Sequence, residues 1–335
     1  MTASLGVGVI GVGAMGRRHA ENLSAPGSGA TLVAVADADP GAAQTVAGAL
    51  GVTATTVDGL LADPRIDGVV IATPPETHAD MIMAAAREGK DVLCEKPVAA
   101  SVAEARRAQE EAIRHGIGVQ TGFMRRYDPF YLETWERIRR GEIGRPVLFT
   151  GISRDREPPS RSYFTSPAAG NLFVESAGHD FDLVRWLMDD EITHVQAAGA
   201  IIANTGLADV QPMDTGFATL RLSRGGAASV QVYKSAGYGY DIRSEIVGTD
   251  GAVTVGEGPS GGATRIRPGQ SGPGRYGHWL ERFADAYRAE IVDWVRRTKA
   301  DAPYRVTLDD GIRALAVSEA AERSRREERP VPVEG

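Results

Sequence analysis

A glycine-rich hexapeptide near the start of the chain has the spacing of a phosphate-binding turn. Residues 11–16 are Gly-Val-Gly-Ala-Met-Gly; they follow the apolar run Leu5–Ile10 and open a helix-like segment. The first glycine permits a tight turn, the second lets the backbone approach a pyrophosphate, and the third lets the helix pack closely on the strand. Free N–H groups at the helix N-terminus then face the phosphates. The pattern predicts a dinucleotide site lined by Gly11, Val12, Gly13, Ala14, Met15 and Gly16.

Asp37 is the residue that we expect to select the dinucleotide. It ends the next apolar strand, about twenty residues beyond the glycine motif, where a carboxylate binds the adenosine ribose hydroxyls. The carboxylate would repel a 2′-phosphate at that point, so NAD is favoured over NADP. Asp39 lies close enough in the sequence to be the alternative ligand, and Arg17 or Arg18 could instead reach a phosphate.

Two further strand ends carry groups suited to a cofactor and a reacting hydroxyl. Thr73 and Pro74 follow the third predicted strand, and the Glu-Lys-Pro stretch from Glu95 to Pro97 follows the fourth. In an open parallel sheet, ligands bind outside the carboxyl ends of the strands. The ammonium of Lys96 would there hydrogen-bond a substrate hydroxyl and polarise the nascent carbonyl. The alternatives are a plain loop after the third strand and an ordinary surface lysine after the fourth.

The segment 175–182, Glu-Ser-Ala-Gly-His-Asp-Phe-Asp, brings acids next to a histidine. Glu175 and His179 are four residues apart, which places them on one face if the segment is helical. A carboxylate beside an imidazole sets its orientation and raises its basicity, so His179 could accept a hydroxyl proton. Asp182 could orient the ring instead, and a histidine at a helix start among solvated acids is the alternative. The spacing is poor for zinc, so we predict no metal site.

The elements that must position these groups alternate over the first third of the chain. Strand, helix, strand, helix predicts a parallel, doubly wound sheet. Ser101, with Glu104 three residues on, has the spacing of a capping box. The predicted strands are Leu5–Ile10, Thr31–Ala36, Gly68–Ala72, Asp91–Cys94 and Gly118–Thr121, and the predicted helices are Ala14–Leu23, Gly41–Leu50, His78–Glu88 and the segment from Ser101 to about His115.

The pattern changes after residue 122, where we predict a domain boundary. Residues 1–122 form the predicted dinucleotide-binding domain of Rossmann type, and residues 123–335 an α+β domain with an open, mainly antiparallel sheet. Loops are expected at Arg154–Pro167 and Gly258–Gly274. The predicted strands are Pro146–Ser153, His194–Ile202, Thr215–Leu222, Ala227–Lys234, Arg243–Val247 and Ala252–Val255, and the predicted helices are Asp128–Arg139, part of Phe173–Met188, Trp279–Thr298 and about Asp309–Arg325.

Composition excludes several classes of protein. The chain has 335 residues, 42% of them hydrophobic and 24% charged, which suits a globular protein with two domains. A net charge of −7 argues against a broad nucleic-acid-binding surface. The sequence contains no run of about 18 apolar residues, so we expect no membrane span. The N-terminus lacks the features of a signal peptide. The single cysteine, Cys94, allows no intrachain disulfide and fits a reducing, cytoplasmic setting.

Taken together, these motifs resemble the Gfo/Idh/MocA oxidoreductases over nearly the whole chain. The resemblance rests on the glycine motif, Asp37, the Thr73–Pro75 stretch with His78, the Glu-Lys-Pro stretch, and His179 followed three residues later by Asp182. Three other stretches, residues 122–128, 238–245 and 282–290, look like the inositol dehydrogenases of that family.

The resemblance implies a Rossmann domain that binds NAD and a second domain whose open sheet mediates homodimers or homotetramers. Glu175 stands where the inositol dehydrogenases usually carry Asp, and Asn171 where a second Gly is common, so the polyol itself is left open. By the same resemblance, the catalytic residues are Lys96, His179 and Glu175; the cofactor contacts beyond the glycine motif and Asp37 are Thr73, Pro74, His78 and Glu95; and the substrate contacts are Met124, Arg125, Asp155, Asp182 and Tyr238.

The implied activity is NAD-dependent oxidation of a secondary hydroxyl of a cyclic polyol, myo-inositol or a close relative, to the ketone. His179 would take the hydroxyl proton, oriented by Glu175 or Asp182, while Lys96 hydrogen-bonds the reacting oxygen. A related sugar or aminocyclitol oxidoreductase, or a ketone reductase of that kind, is the alternative among enzymes. A dinucleotide sensor without turnover is a further alternative, although a sensor has no need for both Lys96 and His179.

Overall fold

The computed structural model describes residues 4–157, 161, 172–210, 213–256 and 276–334. Asn171, most of the predicted loop Arg154–Pro167 and the whole of Gly258–Gly274 lie outside the described residues. The chain divides into two compact units. The first comprises Met1–Tyr127 and Asp285–Ile312, and the second comprises Asp128–Ala284 and Arg313–Gly335.

A parallel sheet forms the centre of the first unit. In the described part of that unit six strands pair in the order β3-β2-β1-β4-β5-β6. Val7, Val9 and Val70 are fully buried, as expected of strands covered by helices on both faces. The doubly wound parallel sheet predicted from the sequence is confirmed. The strands are β1 Leu5–Ile10, β2 Ala30–Ala36, β3 Thr53–Thr55, β4 Gly68–Ile71, β5 Asp91–Cys94 and β6 Val119–Thr121.

Capping residues mark the ends of several helices in this unit. The Ser101 hydroxyl accepts a hydrogen bond from the Glu104 N–H at 3.3 Å, as the capping spacing predicts. Gly51 and Gly116 end their helices in the left-handed conformation. Sequence patterns missed β3 and the short helix that follows it. The helices are α1 Ala14–Ser24, α2 Pro40–Leu50, α3 Val57–Leu61, α4 His78–Arg87 and α5 Val102–His115.

Residues from near the C-terminus complete the core of the first unit. Ile291, Trp294 and Val295 share one buried apolar cluster with Leu5 and Val7. The sequence boundary near residue 122 assigns them to the second domain, whereas in the structure residues 285–312 pack with the first unit. The physical reason is their apolar helix face, which is buried against the strands of the parallel sheet.

The second unit contains an open mixed sheet. Seven strands of its described residues pair in the order β12-β11-β7-β10-β9-β8-β13. All neighbouring pairs are antiparallel except β7 with β10, which run parallel. The mainly antiparallel sheet predicted from the sequence is confirmed. The strands are β7 Pro146–Asp155, β8 Ile192–Ala200, β9 Thr215–Leu222, β10 Ala227–Lys234, β11 Asp241–Gly248, β12 Ala252–Val255 and β13 Val331–Pro332.

One face of this sheet is covered and the other is open. Burial alternates along β9 and β10, as expected of strands with one face on a core. On the open face, Leu148 and Phe217 keep 51% and 42% of their surface exposed. The helices are α6 Pro129–Arg139, α7 Gly178–Met188, α8 Trp279–Lys299 and α9 Leu308–Glu327, of which α8 and α9 each contribute residues to both units.

We predict that Gly16→Ala destabilises the first unit while Gly13→Ala does not. A Cβ at residue 16 would lie 1.7 Å from the Gly11 carbonyl oxygen, whereas a Cβ at residue 13 would meet nothing within 4 Å. The overpacked variant should lose about 1–3 kcal/mol of unfolding free energy. Urea unfolding followed by circular dichroism measures the loss. Equal stability of the two variants would contradict the close strand–helix packing described here.

Candidate functional site

The register of the parallel sheet aligns the ends of five strands. Ala36, Ile10, Ile71, Cys94 and Thr121 are paired in a continuous row across β2, β1, β4, β5 and β6. The residue after each therefore leaves the sheet at the same edge. Those following residues are Asp37, Gly11, Ala72, Glu95 and Gly122, so three of the predicted site segments begin side by side.

The glycine motif forms a tight turn with an uncapped helix behind it. Gly11 has a φ of 86°, which only glycine adopts without strain. Gly13 is the N-cap residue of α1, and no side chain of the described residues caps that helix. The first N–H groups of α1 thus have no side-chain acceptor, and the space beside Gly13 is open. This arrangement fits a pyrophosphate at the helix N-terminus.

Asp37 and Asp39 have different structural roles. One carboxylate oxygen of Asp37, Oδ2, accepts a hydrogen bond from the Val12 N–H at 2.7 Å, which ties the end of β2 to the glycine turn. Asp39 instead accepts from the Gly41 N–H at 2.8 Å and caps α2. Asp37 is therefore the carboxylate beside the dinucleotide turn.

His78 links two of the loops at the sheet edge. Its Nδ1 lies 2.7 Å from the Pro97 carbonyl oxygen, and its Nε2 lies 2.8 Å from the Thr73 carbonyl oxygen. Burial lowers the pKa of His78, whereas the two carbonyls favour its protonated form. Both ring nitrogens thus face protein backbone, and the ring connects the Thr73 loop with the Glu-Lys-Pro loop.

The first residue of the Glu-Lys-Pro stretch contacts a buried histidine. Glu95 Oε1 lies 2.6 Å from His19 Nε2, and its Oε2 accepts the Lys96 N–H at 3.3 Å. The peptide bond between Lys96 and Pro97 is cis. Burial raises the pKa of the Cys94 thiol well above its usual range, so Cys94 remains a protonated strand residue.

A second buried carboxyl group lies close to Glu95. Glu290, on α8, is fully buried, and neither of its carboxyl oxygens has a hydrogen-bond partner among the described residues. Burial, together with the charge of Glu95, raises the pKa of Glu290 well above its usual range. The ring of Tyr287, one turn earlier on α8, stands edge-on to His19 with 6.0 Å between ring centroids. The raised pKa favours the protonated, uncharged form of Glu290.

Met124 and Arg125 follow β6 in the first unit. They belong to the short 3₁₀ segment Met124–Tyr127, and both side chains are buried. The next residue, Arg126, donates to Asp310 Oδ1 at 3.1 Å. This ion pair fixes the short segment against the start of α9.

The acids and histidine of the second unit lie where two helix types meet. Phe173–Ala177 has a π-helical hydrogen-bond pattern, and α7 continues from it at Gly178. The four-residue step from Glu175 to His179 therefore crosses a turn wider than that of the α-helix on which the sequence-based prediction depends. His179 and Asp182 are both buried.

Asp155, the last residue of β7, forms an ion pair with Lys234, the last residue of β10. The same ammonium lies 2.5 Å from Glu175 Oε2. The structure thus brings Asp155 and Glu175 together through a lysine.

Tyr238 donates its hydroxyl proton to Asp241 Oδ2 at 2.7 Å and accepts a hydrogen bond from Arg154 at 3.0 Å.

Sequence reasoning missed the parts played by His19 and Lys234. His19 is one of several polar residues in α1, and nothing in its spacing points to Glu95. Lys234 gave a weak signal, since it is a charged residue at the end of the alternating strand Ala227–Lys234. Only the parallel pairing of β10 with β7, which sets Lys234 opposite Asp155, reveals its partner.

Within the described ranges, no group of three or more His, Cys, Asp and Glu side chains is arranged to hold a metal ion. In that same part of the chain, no helix has the length and apolar character needed to cross a membrane.

Two family models together match most of the chain. The Gfo/Idh/MocA model described as an oxidoreductase family with an NAD-binding Rossmann fold matches residues 5–123. The companion model, described as the C-terminal alpha/beta domain of the oxidoreductase family, matches residues 135–333.

Individual relatives are similar over nearly their full lengths. The scyllo-inositol 2-dehydrogenase (NAD(+)) of Bacillus subtilis (strain 168) is 34% identical over 328 residues, which is 97% of this chain and 95% of that protein. The structure of scyllo-inositol dehydrogenase from Lactobacillus casei with NAD(H) and scyllo-inositol has a TM-score of 0.89, with 26% identity and 99% of each chain covered. Myo-inositol dehydrogenase from the same organism, in complex with NAD(H) and myo-inositol, has a TM-score of 0.85 and 28% identity over 99% of this chain and 98% of that one.

We predict that Glu290→Gln makes the protein less sensitive to rising pH. Above the usual pKa of Glu, the unfolded wild type loses the Glu290 proton while the folded protein keeps it, so stability falls as the pH rises toward the raised folded pKa. The neutral variant lacks this loss. Its unfolding free energy relative to the wild type should rise by up to about 1.4 kcal/mol per pH unit in that window.

Urea unfolding between about pH 5 and about pH 8 measures the difference. The matched control is Asp285→Asn, an exposed acid on the same helix, whose stability relative to the wild type should not change with pH in this way. A difference between Glu290→Gln and wild type that is flat with pH would show that Glu290 is ionised in the folded protein.

Proposed function

Since the chain belongs to the Gfo/Idh/MocA oxidoreductase family, we propose that it oxidises a secondary hydroxyl of a cyclic polyol, myo-inositol or a close relative, to the ketone with NAD. The observation that carries this proposal is the row of aligned strand ends in the first unit. It starts the Asp37, Gly11 and Glu95 segments at one edge of the sheet. The relatives named as inositol dehydrogenases support the choice of a polyol.

The first unit carries residues that fit NAD. We propose that the N–H groups of residues 13–15 bind the pyrophosphate, because α1 begins there without a side-chain cap. Asp37, held at the turn by Val12, would accept the ribose hydroxyls. Thr73 and Pro74 would line the cofactor. His78 and Glu95 support it indirectly, since His78 faces two backbone carbonyls and Glu95 faces His19.

Bound NAD supplies a hydride acceptor, and the residues of the chain manage the proton and the oxygen. We propose that Lys96 hydrogen-bonds the reacting oxygen and stabilises negative charge as the carbonyl forms. His179 takes the hydroxyl proton, with Glu175 or Asp182 orienting its ring. The Glu95 carboxylate accepts a hydrogen bond from the Lys96 N–H and so helps to position the Lys96 backbone.

Five residues are proposed to contact the substrate: Met124, Arg125, Asp155, Asp182 and Tyr238. Carboxylates accept hydrogen bonds from ring hydroxyls, an arginine donates to them, and a tyrosine whose proton is already engaged accepts from them. The Tyr238 hydroxyl is already oriented, because it donates to Asp241 and accepts from Arg154. Such a set of donors and acceptors suits a polyol that presents hydroxyls around a ring.

A second candidate function is oxidation or reduction of an amino-substituted cyclitol or sugar. The one negative charge that Asp155 and Glu175 keep in excess of Lys234 is the ground for it, because a net acidic group attracts an ammonium. The two candidates share the chemistry at the reacting carbon and differ in the substituents that the acids meet.

The test of function is NADH formation, followed by absorbance, with NAD against myo-inositol, scyllo-inositol, an aminodeoxy-inositol and common aldoses. Turnover on an inositol supports the proposal. Turnover only on the amine or an aldose favours the second candidate function instead. If all of these substrates are inert, the ketone substrates should be tested with NADH. Binding of NAD without turnover in either direction would leave the sensor alternative and contradict the proposal.

We predict that Lys96→Ala lowers kcat at least about 100-fold while NAD binding stays nearly unchanged. The ammonium acts on the reacting oxygen and has no part in holding the pyrophosphate. Turnover assays and NADH fluorescence titration measure the two effects. The matched control is Lys299→Ala, an exposed lysine at the end of α8 that should leave both unchanged. Equal losses of binding and turnover would contradict the role given to Lys96.

We predict that Asp37→Ala weakens NAD binding roughly tenfold or more and relaxes discrimination against NADP. The variant loses the acceptor for the ribose hydroxyls and the charge that repels a 2′-phosphate. Dissociation constants for both dinucleotides measure the change. Asp39→Ala is the control, because it removes the cap of α2 and leaves the carboxylate at the glycine turn in place. An unchanged preference in Asp37→Ala would disprove this assignment.

A further inference from the structure

Three charged side chains of the second unit meet at one point. Lys234 ends β10, Asp155 ends β7, and Glu175 lies in the π-helical segment that packs on β10. The parallel pairing of the two strands places Lys234 opposite Asp155. The Lys234 ammonium contacts Asp155 Oδ2 and lies 2.5 Å from Glu175 Oε2.

The three groups differ in how much solvent they meet. The Lys234 side chain is only 5% exposed, whereas those of Asp155 and Glu175 are 27% and 21% exposed. The ammonium therefore lies behind the carboxylates, and an approaching molecule meets the two acids first. Burial lowers the pKa of Lys234, but the adjacent Glu175 and Asp155 carboxylates outweigh burial and raise it above its usual range. Lys234 is thus a permanent positive charge.

The surrounding groups hold this arrangement in place. The Lys234 N–H donates to the Asp214 carbonyl at 2.9 Å. The Asp214 carboxylate accepts the N–H groups of Ile202, Ala203 and Asn204, so it is engaged with backbone. The Ser176 hydroxyl donates to the same Glu175 oxygen that faces the ammonium, at 2.5 Å.

The net charge of the Lys234, Asp155 and Glu175 cluster determines which ligand groups it attracts. With Lys234 in place, two carboxylates and one ammonium carry a net charge of one negative unit. The carboxylate oxygens remain good acceptors for neutral hydroxyls. Without the ammonium, two unscreened carboxylates would repel one another and attract a cation instead.

We propose that Lys234 is a specificity-determining residue, which balances Asp155 and Glu175 so that the enzyme favours a neutral polyol over its ammonium-bearing analogue. The inference rests on the proposed function, in which Asp155 contacts substrate and either Glu175 or Asp182 orients His179. It assigns a role to a lysine that touches neither the reacting carbon nor the cofactor in that mechanism.

The experiment compares kcat/KM for myo-inositol with kcat/KM for an aminodeoxy-inositol carrying one ammonium, using NAD and the full-length protein. Lys234→Met should shift the ratio of the two values about tenfold toward the amine, because it leaves two uncompensated acids. The double variant Lys234→Met with Asp155→Asn carries the same net charge as the wild-type cluster. Its ratio should return toward the wild-type value, which a purely structural role of Lys234 would not produce.

Asp155→Asn alone keeps the ammonium paired with Glu175, so it provides a test even if Lys234→Met fails to fold. This variant should shift the ratio in the opposite direction, away from the amine. Circular dichroism and NADH binding confirm folding of each variant before the kinetic comparison.

The outcomes separate the two proposals. A wild type that oxidises neither compound overturns the proposed function, and with it this inference. A wild type that oxidises myo-inositol, with a ratio that stays constant in every folded variant, overturns this inference alone. Opposite shifts in the Asp155 and Lys234 variants support it.

Discussion

The in-register pairing of the parallel strands is the constraint on which the first unit depends. Ile10, Ile71 and Cys94 lie in one continuous row, so the segments after them leave the sheet together. A slip of one residue along a strand would turn each of its side chains to the other face of the sheet. It would also displace the glycine turn from the Glu-Lys-Pro loop. Strands buried on both faces resist such a slip, because every residue of β1 is packed.

Buried charge is treated in two different ways by the two units. In the first unit Glu290 has no hydrogen-bond partner among the described residues, and it avoids the cost of burying a charge by keeping its proton. In the second unit Lys234 remains charged, because two carboxylates share its ammonium. A neutral acid near Glu95 leaves the hydrogen bond between Glu95 and His19 undisturbed. A charged lysine behind Asp155 changes what those acids can attract.

Local patterns were sufficient for the regular elements. Five strands have the bounds that the sequence pattern predicts: Leu5–Ile10, Asp91–Cys94, Thr215–Leu222, Ala227–Lys234 and Ala252–Val255. Short elements such as β3, α3 and β13 were missed, because two to five residues with partial burial carry little periodic signal.

Long-range packing was beyond the reach of such patterns. The periodicity of α8 predicts a helix, yet it does not say which core receives Trp294. The types of the candidate site residues were visible in the sequence, and so were their places at strand ends. Their partners were not, because the contacts of Glu95 with His19 and of Glu175 with Lys234 join residues that are far apart in the chain.

The π-helical turn before His179 connects the geometry of the second unit with its proposed chemistry. A regular α-helix would stack residue 175 over residue 179, and the carboxylate of Glu175 would then serve the imidazole alone. Glu175 lies in the wider turn, and its carboxylate oxygen reaches the Lys234 ammonium. A carboxylate that already balances a buried lysine is a weaker attractor for an imidazolium, so Asp182 becomes the better partner for His179 in the proposed mechanism. The same irregular turn thus ties the choice of base partner to the charge that an incoming substrate meets.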